Sequence, residues 1–346
     1  VEHHSLVGRI ITMNIKMITL SMLAAVPISE HVPALAQGSS EQPAMSGSLV
    51  SVLSVSLPEG VDKEMLGKRT LETIALQVML DRSYHSPGVV DGYMGGNTRR
   101  AIRYYRKANG LPAGSGVDRE LLSSLVETHS GDIFGSYTIT QEDVSREFPD
   151  NPADFAAMAK DDRLNYESPL EMFGERFHMD EDFLVALNPD ADFSKAGTKI
   201  VIVGHGDERL GASIAKVEVR KSDKSVAVLD PDGQLIASYP ATIGSNDFPS
   251  PSGSMKVSAI ATEPTYFFNP DSQQWGPDEQ LKIAAGPNNP VGGTWIDLGK
   301  EGYGIHGSPD PQMVGKRTSH GCVRLTNWDA AELASAVSTG IPVIFV

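Results

Sequence analysis

The apolar residues of this chain follow three successive rhythms, and each predicts a different kind of structure. Across residues 61–128 they recur at helical spacing. Leu71, Ile74, Leu76, Val78 and Leu80 mark one helix, and Ala101, Ile102, Tyr104 and Tyr105 a second, with Thr98 placed as its N-cap. A third helix is expected from Asp118 to about Val126, after the break at Gly110-Leu111-Pro112. The glycines between Pro87 and Asn97 permit tight turns between the first two helices. Residues 133–206 give a thinner signal and read as a separate unit. Tyr137-Thr138-Ile139 is a short strand, Ser168-Pro169-Leu170 opens a helix with Ser168 as cap, and Lys199–Val203 closes the segment as a strand. From residue 213 to residue 346 the period becomes two. Val217 and Val219 alternate with Glu218 and Arg220; Val226 and Val228 then lead through Asp230-Pro231-Asp232-Gly233 into Leu235–Tyr239, the pattern of a β-hairpin. Further strands are expected near Met255–Ala259, Trp295–Asp297 and Pro342–Val346, with one helix from about Trp328 to Val337 capped by Asn327. The predicted fold class is multidomain α+β: a small three-helix domain, a strand–helices–strand middle segment, and a C-terminal mainly β domain whose loops carry the site.

Two stretches precede these rhythms. Arg9 and Lys16 stand before the apolar run Met17–Val26, and Ala34-Leu35-Ala36 offers the small residues of a cleavage site. Residues 1–36 therefore read as a secretory signal peptide, with Met13 as the expected start. The run is shorter than the roughly 20 residues a spanning helix needs, which predicts export without a transmembrane anchor. Residues 37–60, rich in Ser, Gly and Pro, read as a flexible linker. The composition, 40% hydrophobic and 21% charged, is that of a globular protein. The formal net charge is −15, and residues 141–192 alone hold 15 acidic residues against 4 basic ones. That balance argues against nucleic acid as a partner, because phosphate binding needs a basic face. The acidic stretch itself reads as solvated surface.

Export sharpens the meaning of the cysteine count. Cys322 is the only cysteine among 346 residues, so no internal disulfide can form. A lone thiol is commonly a small buried hydrophobe. Here, however, it stands in Ser319-His320-Gly321-Cys322-Val323-Arg324-Leu325, downstream of His306-Gly307. A thiol attacks as its thiolate, and an imidazole in reach is its usual activator. No metal is expected, because His306 and His320 lack a third ligand at credible spacing. No Gly-x-Gly-x-x-Gly or Walker-type loop opens a helix, and the chemistry calls for no cofactor. His205, in Gly204-His205-Gly206-Asp207, reads as a linker residue between domains.

The series Pro264-Thr265-Tyr266, Asn269-Pro270, Gly286 to Gly292, Tyr303-Gly304-Ile305-His306-Gly307 and Ser319 to Asn327 resembles the L,D-transpeptidase catalytic domain, also called the YkuD domain, over nearly all of residues 215–346. The resemblance implies a working pair carried here by Cys322 and His306, acting on the amide between an L-centre diamino acid and D-alanine. It implies an oxyanion site of backbone N–H groups at His320, Gly321 and Cys322. It also implies that the histidine is oriented by a backbone carbonyl, that of Gly307, in place of the carboxylate of a Ser-His-Asp triad. His306 either holds Cys322 as a thiolate or takes its proton during attack. His320 either orients the site or packs within the loop. Arg324, Ser319 and Tyr266 are candidate substrate contacts; bracing of the loop is the competing role for Arg324, and loop hydrogen bonding for Ser319. Tyr266, Phe267, Phe268 and Trp275 form either a cover over the substrate or the core of an excursion.

Residues 77–125 resemble the three-helix peptidoglycan-binding domain, through Asp91-Gly92, Asn97-Thr98 and Asn109-Gly110-Leu111-Pro112. That family usually carries an aromatic–glutamine pair where this chain has Tyr105-Arg106. The middle segment resembles a degenerate LysM-type glycan-binding module, with a structural spacer as the alternative. Together the resemblances imply an exported L,D-transpeptidase of the periplasm or cell wall that makes 3→3 cross-links. Its partners would be peptidoglycan stem peptides and glycan, and carbapenem-type β-lactams its inhibitors. Transfer to water or to a protein lysine would instead give an L,D-carboxypeptidase or attachment of a protein to the wall. A wall-binding scaffold without catalysis is the competing class.

Overall fold

The computed structural model describes Leu53 and residues 55–206, 209–245, 247–271 and 276–346. The expected signal peptide, most of the expected linker and Trp275 lie outside the described residues. Helix α1 (Leu71–Arg82) starts where the Thr70 hydroxyl accepts from Thr73 N, and Thr73 through Asp81 are all buried. A helix buried on every side is a central one, and α2 (Gly96–Ala108) and α3 (Arg119–His129) pack around it. Asp118 caps α3 by accepting from Leu121 N. Thr98 is not the cap of α2. Gly95 occupies that position without a side-chain bond, and the Thr98 hydroxyl, inside the first turn, accepts from Gln77 Nε2 at 3.1 Å.

Gln77 is the knot of this module. Its Nε2 donates to Asp91 Oδ1 at 2.8 Å, its Oε1 accepts from Gly92 N at 2.8 Å, and Asp91 Oδ1 also accepts from Tyr93 N. Gly92, at φ +75°, has Arg69 packed where a β-carbon would stand. Arg106, almost fully buried, donates to the carbonyls of Pro112 and Gly116 and pairs with Asp118 at 2.6 Å. The residue that departs from the related pattern thus staples the connecting loop to the start of α3.

The middle segment has the predicted order. Strand β1 (Phe134–Thr138) pairs antiparallel with β2 (Lys199–Val203). Between them Ser168 caps α4 (Pro169–Arg176), and α5 (Glu181–Leu187) follows. It is not a separate unit, however. Phe173, Phe183 and Leu184 share one hydrophobic core with Leu76, Ile102 and Leu122, because the apolar faces of both segments are too small to close alone. Leu53 is buried in the same core with Val55 and Leu57 against it, so packed chain begins inside the span expected to be linker. His205 is not slack linker either: its ring lies 4.5 Å from that of His178, and the following Gly206 N–H donates to Asp81 Oδ2 at 2.7 Å. Nor is the acidic stretch all solvated, since Asp143 and Glu175 are buried.

The C-terminal part contains β3 (Lys216–Arg220), β4 (Ser225–Leu229), β5 (Leu235–Pro240), β6 (Ile243–Gly244), β7 (Gly253–Lys256), β8 (Ala259–Thr262), β9 (Tyr266–Phe268), β10 (Leu281–Ile283), β11 (Thr294–Lys300), β12 (Tyr303–His306), β13 (Thr318–Ser319), β14 (Val323–Arg324), α6 (Asn327–Ala336) and β15 (Pro342–Phe345). One sheet runs β5-β4-β3-β15-β7 and another β14-β12-β11-β8. Val217, Val228, Ile296, Ile305, Leu333 and Val343 belong to the core between them. The β4–β5 hairpin turns at Gly233, φ +78°, with Gly233 N donating to Asp230 O. Helix α6 is capped by Thr326, which accepts from Asp329 N at 3.1 Å. Asn327, expected as the cap, is the first helical residue, which frees its side chain to reach outward.

The helical module docks on the first sheet. Arg103 pairs with Asp223 at 2.6 Å, the Tyr104 hydroxyl donates to Asp223 Oδ2 at 2.7 Å, and Asn97 Nδ2 donates to Val314 O.

Candidate active site

The register of two short parallel strands assembles the site. Ile305 of β12 lies opposite Val323 of β14, and His306 opposite Arg324. Side chains alternate along a strand, so His306, Arg324 and, two residues before it, Cys322 fall on one face. That face forms the floor of a cleft of about 570 Å³, lined also by His320, Tyr266 and Phe155.

His306 is fully buried, its ring stacked on Trp295 at 5.5 Å. Its Nδ1 lies 2.6 Å from the Gly307 carbonyl oxygen. A carbonyl only accepts, so Nδ1 carries the hydrogen and Nε2 keeps its lone pair. Burial pushes the imidazole down to about 3; the Arg324 charge acts the same way, and the backbone partners Gly307 and Val291 oppose it. Cys322 is half-buried, with Sγ 3.2 Å from the Gly302 carbonyl oxygen. Burial pushes its thiol up, against the opposing pull of the Gly304 backbone and of Arg324. Both shifts favour the neutral thiol and the neutral imidazole at rest.

The loop that carries Cys322 is braced by two serines. Ser319 Oγ donates to Cys322 O at 2.6 Å and accepts from Gly321 N at 3.2 Å; Ser250 Oγ donates to Gly321 O at 2.6 Å. Ser319 is buried and does not line the cleft, which corrects its grouping with substrate contacts: its hydroxyl is spent on the loop. Gly321 adopts φ +120°, and the Tyr303 ring lies 3.1 Å from where its β-carbon would stand. Its N–H is engaged by Ser319. His320 is exposed, edge-on to Phe248 at 4.9 Å. The Arg324 guanidinium reaches the cleft with a buried Nε that has no hydrogen-bond partner among the described residues.

Tyr266 and Phe268, on the β9–β10 hairpin, meet Phe155 edge-on at 6.0 and 5.7 Å. Phe268 is buried, whereas Phe267 is 67% exposed. The hairpin therefore combines the two expected roles, cleft wall at Tyr266 and Phe267 and core at Phe268. Phe155 was not foreseen in the sequence. Its signal was an apolar turn, Phe155–Met158, behind the capping residue Asp154 in otherwise acidic chain. Among the described residues no cluster of three or more His, Cys, Asp or Glu is placed to hold a metal, and no helix is long and apolar enough to cross a membrane.

Residues 215–345 match the family described as the L,D-transpeptidase catalytic domain (YkuD), and residues 69–125 that of a putative peptidoglycan binding domain. The putative L,D-transpeptidase YkuD of Bacillus licheniformis is 28% identical over 174 residues, covering 49% of this chain and 89% of that protein. The putative L,D-transpeptidase YqjB of Bacillus subtilis is 30% identical over 134 residues, 37% of this chain and 69% of that protein. Among solved structures, L,D-transpeptidase 3 from Mycobacterium tuberculosis is 18% identical, with a TM-score of 0.33, over 44% of this chain and 75% of that one. By the share of YqjB that it spans at this identity, and by its YkuD domain, the chain belongs to the L,D-transpeptidase family, with a peptidoglycan-binding domain N-terminal to the catalytic one.

Proposed function

We propose that this chain is an exported L,D-transpeptidase that acylates Cys322 with a peptidoglycan stem tetrapeptide, releases D-alanine and joins the acyl group to an amine of a neighbouring stem in a 3→3 cross-link. The observation that carries the reading is the placement of Cys322 and His306 on one face of one cleft, with His306 Nδ1 committed to Gly307 and Nε2 left to exchange a proton.

With both groups neutral at rest, His306 acts as general base during attack rather than as the counter-ion of a standing thiolate. The Cys322 sulfur bonds to the amide carbon as its proton passes to His306 Nε2. The oxyanion lies against backbone N–H groups of the segment His320-Gly321-Cys322, as the family resemblance implies. The C–N bond breaks, the imidazolium returns its proton to the departing D-alanine amine, and a thioester remains. An acceptor amine then attacks the thioester, its proton passing to His306 and from there to the leaving thiol. Arg324, which lines the cleft, receives a substrate carboxylate or carbonyl. Carbapenem-type β-lactams acylate the same thiol, because their strained amide carbonyl meets the same nucleophile. Peptidoglycan as substrate places the protein at the periplasm or cell wall.

The test is intact-protein mass after incubation with a disaccharide tetrapeptide, with released D-alanine assayed, for the chain and its Cys322→Ala variant. Adduct and D-alanine from the parent only are expected. A folded parent giving neither would leave a wall-binding scaffold as the better reading.

A further inference from the structure

The middle segment touches the loops around the cleft through Leu164, Asn165 and Glu175, residues that lie outside the motif series. The loop of residues 285–293 carries Val291, a backbone partner of His306. Its first half is sewn to the middle segment: Leu164 N donates to Ala285 O, Asn288 N to Leu164 O, and Asn288 Nδ2 to Asn165 O, all near 3.0 Å. Gly286 has the Leu164 backbone where a β-carbon would stand.

The second half is held through Asn327. The Asn327 amide donates to both carboxyl oxygens of Glu175, at 2.8 and 3.0 Å, and to Pro287 O at 3.2 Å. Its own carbonyl oxygen accepts from Gly293 N at 3.1 Å and lies where a β-carbon on Gly292 or Gly307 would stand. Gly307 is the residue whose carbonyl fixes His306 Nδ1. A continuous path thus runs from α4 of the middle segment to the imidazole: Glu175, Asn327, the backbone of Gly292-Gly293 and Gly307, His306.

We infer that Glu175 is a positioning residue for catalysis, acting through Asn327 to hold the backbone that aims His306, so that the middle segment is a working part of the active site. The inference rests on the proposed roles of Cys322 and His306. Glu175 touches no reacting atom, and neither does Asn327. An acceptor oxygen at Glu175 orients the Asn327 amide so that its oxygen, not its nitrogen, faces Gly293 and the two glycines. Reversal of that amide would turn an N–H against the Gly293 N–H, a donor facing a donor. Burial pushes the Glu175 carboxyl up to about 8, so near neutral pH it is largely the protonated acid. Glutamine is close to an isostere of that form and, with its Oε1 turned to Asn327, retains one of the two acceptors that the Asn327 amide uses.

The experiment compares the full chain with Glu175→Ala and Glu175→Gln by three readouts: the rate constant for Cys322 acylation by disaccharide tetrapeptide, the substrate concentration for half-maximal rate, and ¹⁵N imidazole signals of His306. Glu175→Ala should slow acylation roughly ten- to hundredfold with little change in half-saturation, and shift the His306 Nδ1 signal. Glu175→Gln should stay within about threefold of the parent, as an acceptor alone is required. Acylation by Glu175→Ala at the parent rate with unchanged His306 signals would overturn the inference. So would equal losses in both variants tracking a common fall in melting temperature. If the parent itself is not acylated, the proposed function fails instead, and the His306 signals of the folded variants still decide whether Glu175 governs that ring.

Discussion

Two loops of this protein are built from the same materials and used in opposite ways. The turn around Asp91-Gly92 and the loop around Gly321-Cys322 both combine a positive-φ glycine with buried polar side chains. In the first, Gln77, Asp91 and Thr98 bond to one another and to the turn's backbone. In the second, Ser319 and Ser250 fix the backbone, while the Cys322 thiol and the Arg324 guanidinium face a cleft. The first network's polar groups are spent on the fold; the second keeps some in reserve for a ligand. Motif residues of similar appearance therefore divide by where their hydrogen bonds end.

The largest expected contrast lies at the base. His306→Ala should slow Cys322 acylation by roughly 10²–10⁴-fold per folded molecule, a loss beyond what the cavity left by its buried ring takes from stability. A loss below tenfold in acylation mass kinetics would remove His306 from the mechanism. At the turn the effect should appear in stability instead. Gln77→Leu strands the buried Gly92 N–H and takes a donor from Asp91 and Thr98, costing about 2 kcal/mol in chemical denaturation, with acylation per folded molecule unchanged. A cost under about 0.5 kcal/mol would show that water or rearrangement replaces those bonds. The smallest and most diagnostic effect is on pH. With the thiol pushed up and His306 down to about 3, the reactive thiolate grows as protons are removed. Alkylation of Cys322 by iodoacetamide should therefore rise about tenfold per pH unit from pH 6 to 8. A rate already level across that range would mean a standing thiolate and would reverse the assignment of His306 as general base.

Much of this architecture was legible because its signals are local. Ser168 and Asp118 cap the helices that follow them, and Asp230 to Gly233 turns the hairpin, since each bond spans only a few residues. The spacing of His306 and Cys322 was readable through the family motif, and the strand register explains how it brings both to one cleft. What escaped was long-range. The Glu175–Asn327 contact joins residues 152 positions apart, and an asparagine just before a helical pattern reads first as a cap. Thr98 misled for a similar reason, because a buried threonine near a helix start satisfies capping statistics while bonding to Gln77. The shared core of the helical and middle segments also left no periodic trace, as periodicity reports which face is apolar and not what covers it. Ser319 was ambiguous until its hydroxyl was seen to be occupied on both sides.

The clasp of Arg103 and Tyr104 on Asp223, with Asn97 on Val314, removes the hinge that a tethered accessory module would have. A glycan strand gripped by the helices would sit at one set offset from the thiol. Under the proposed function the protein would act as a caliper laid along its polymer, with the span from the held strand to Cys322 fixed by the fold, and stem peptides at other offsets would lie out of reach however long the encounter lasted.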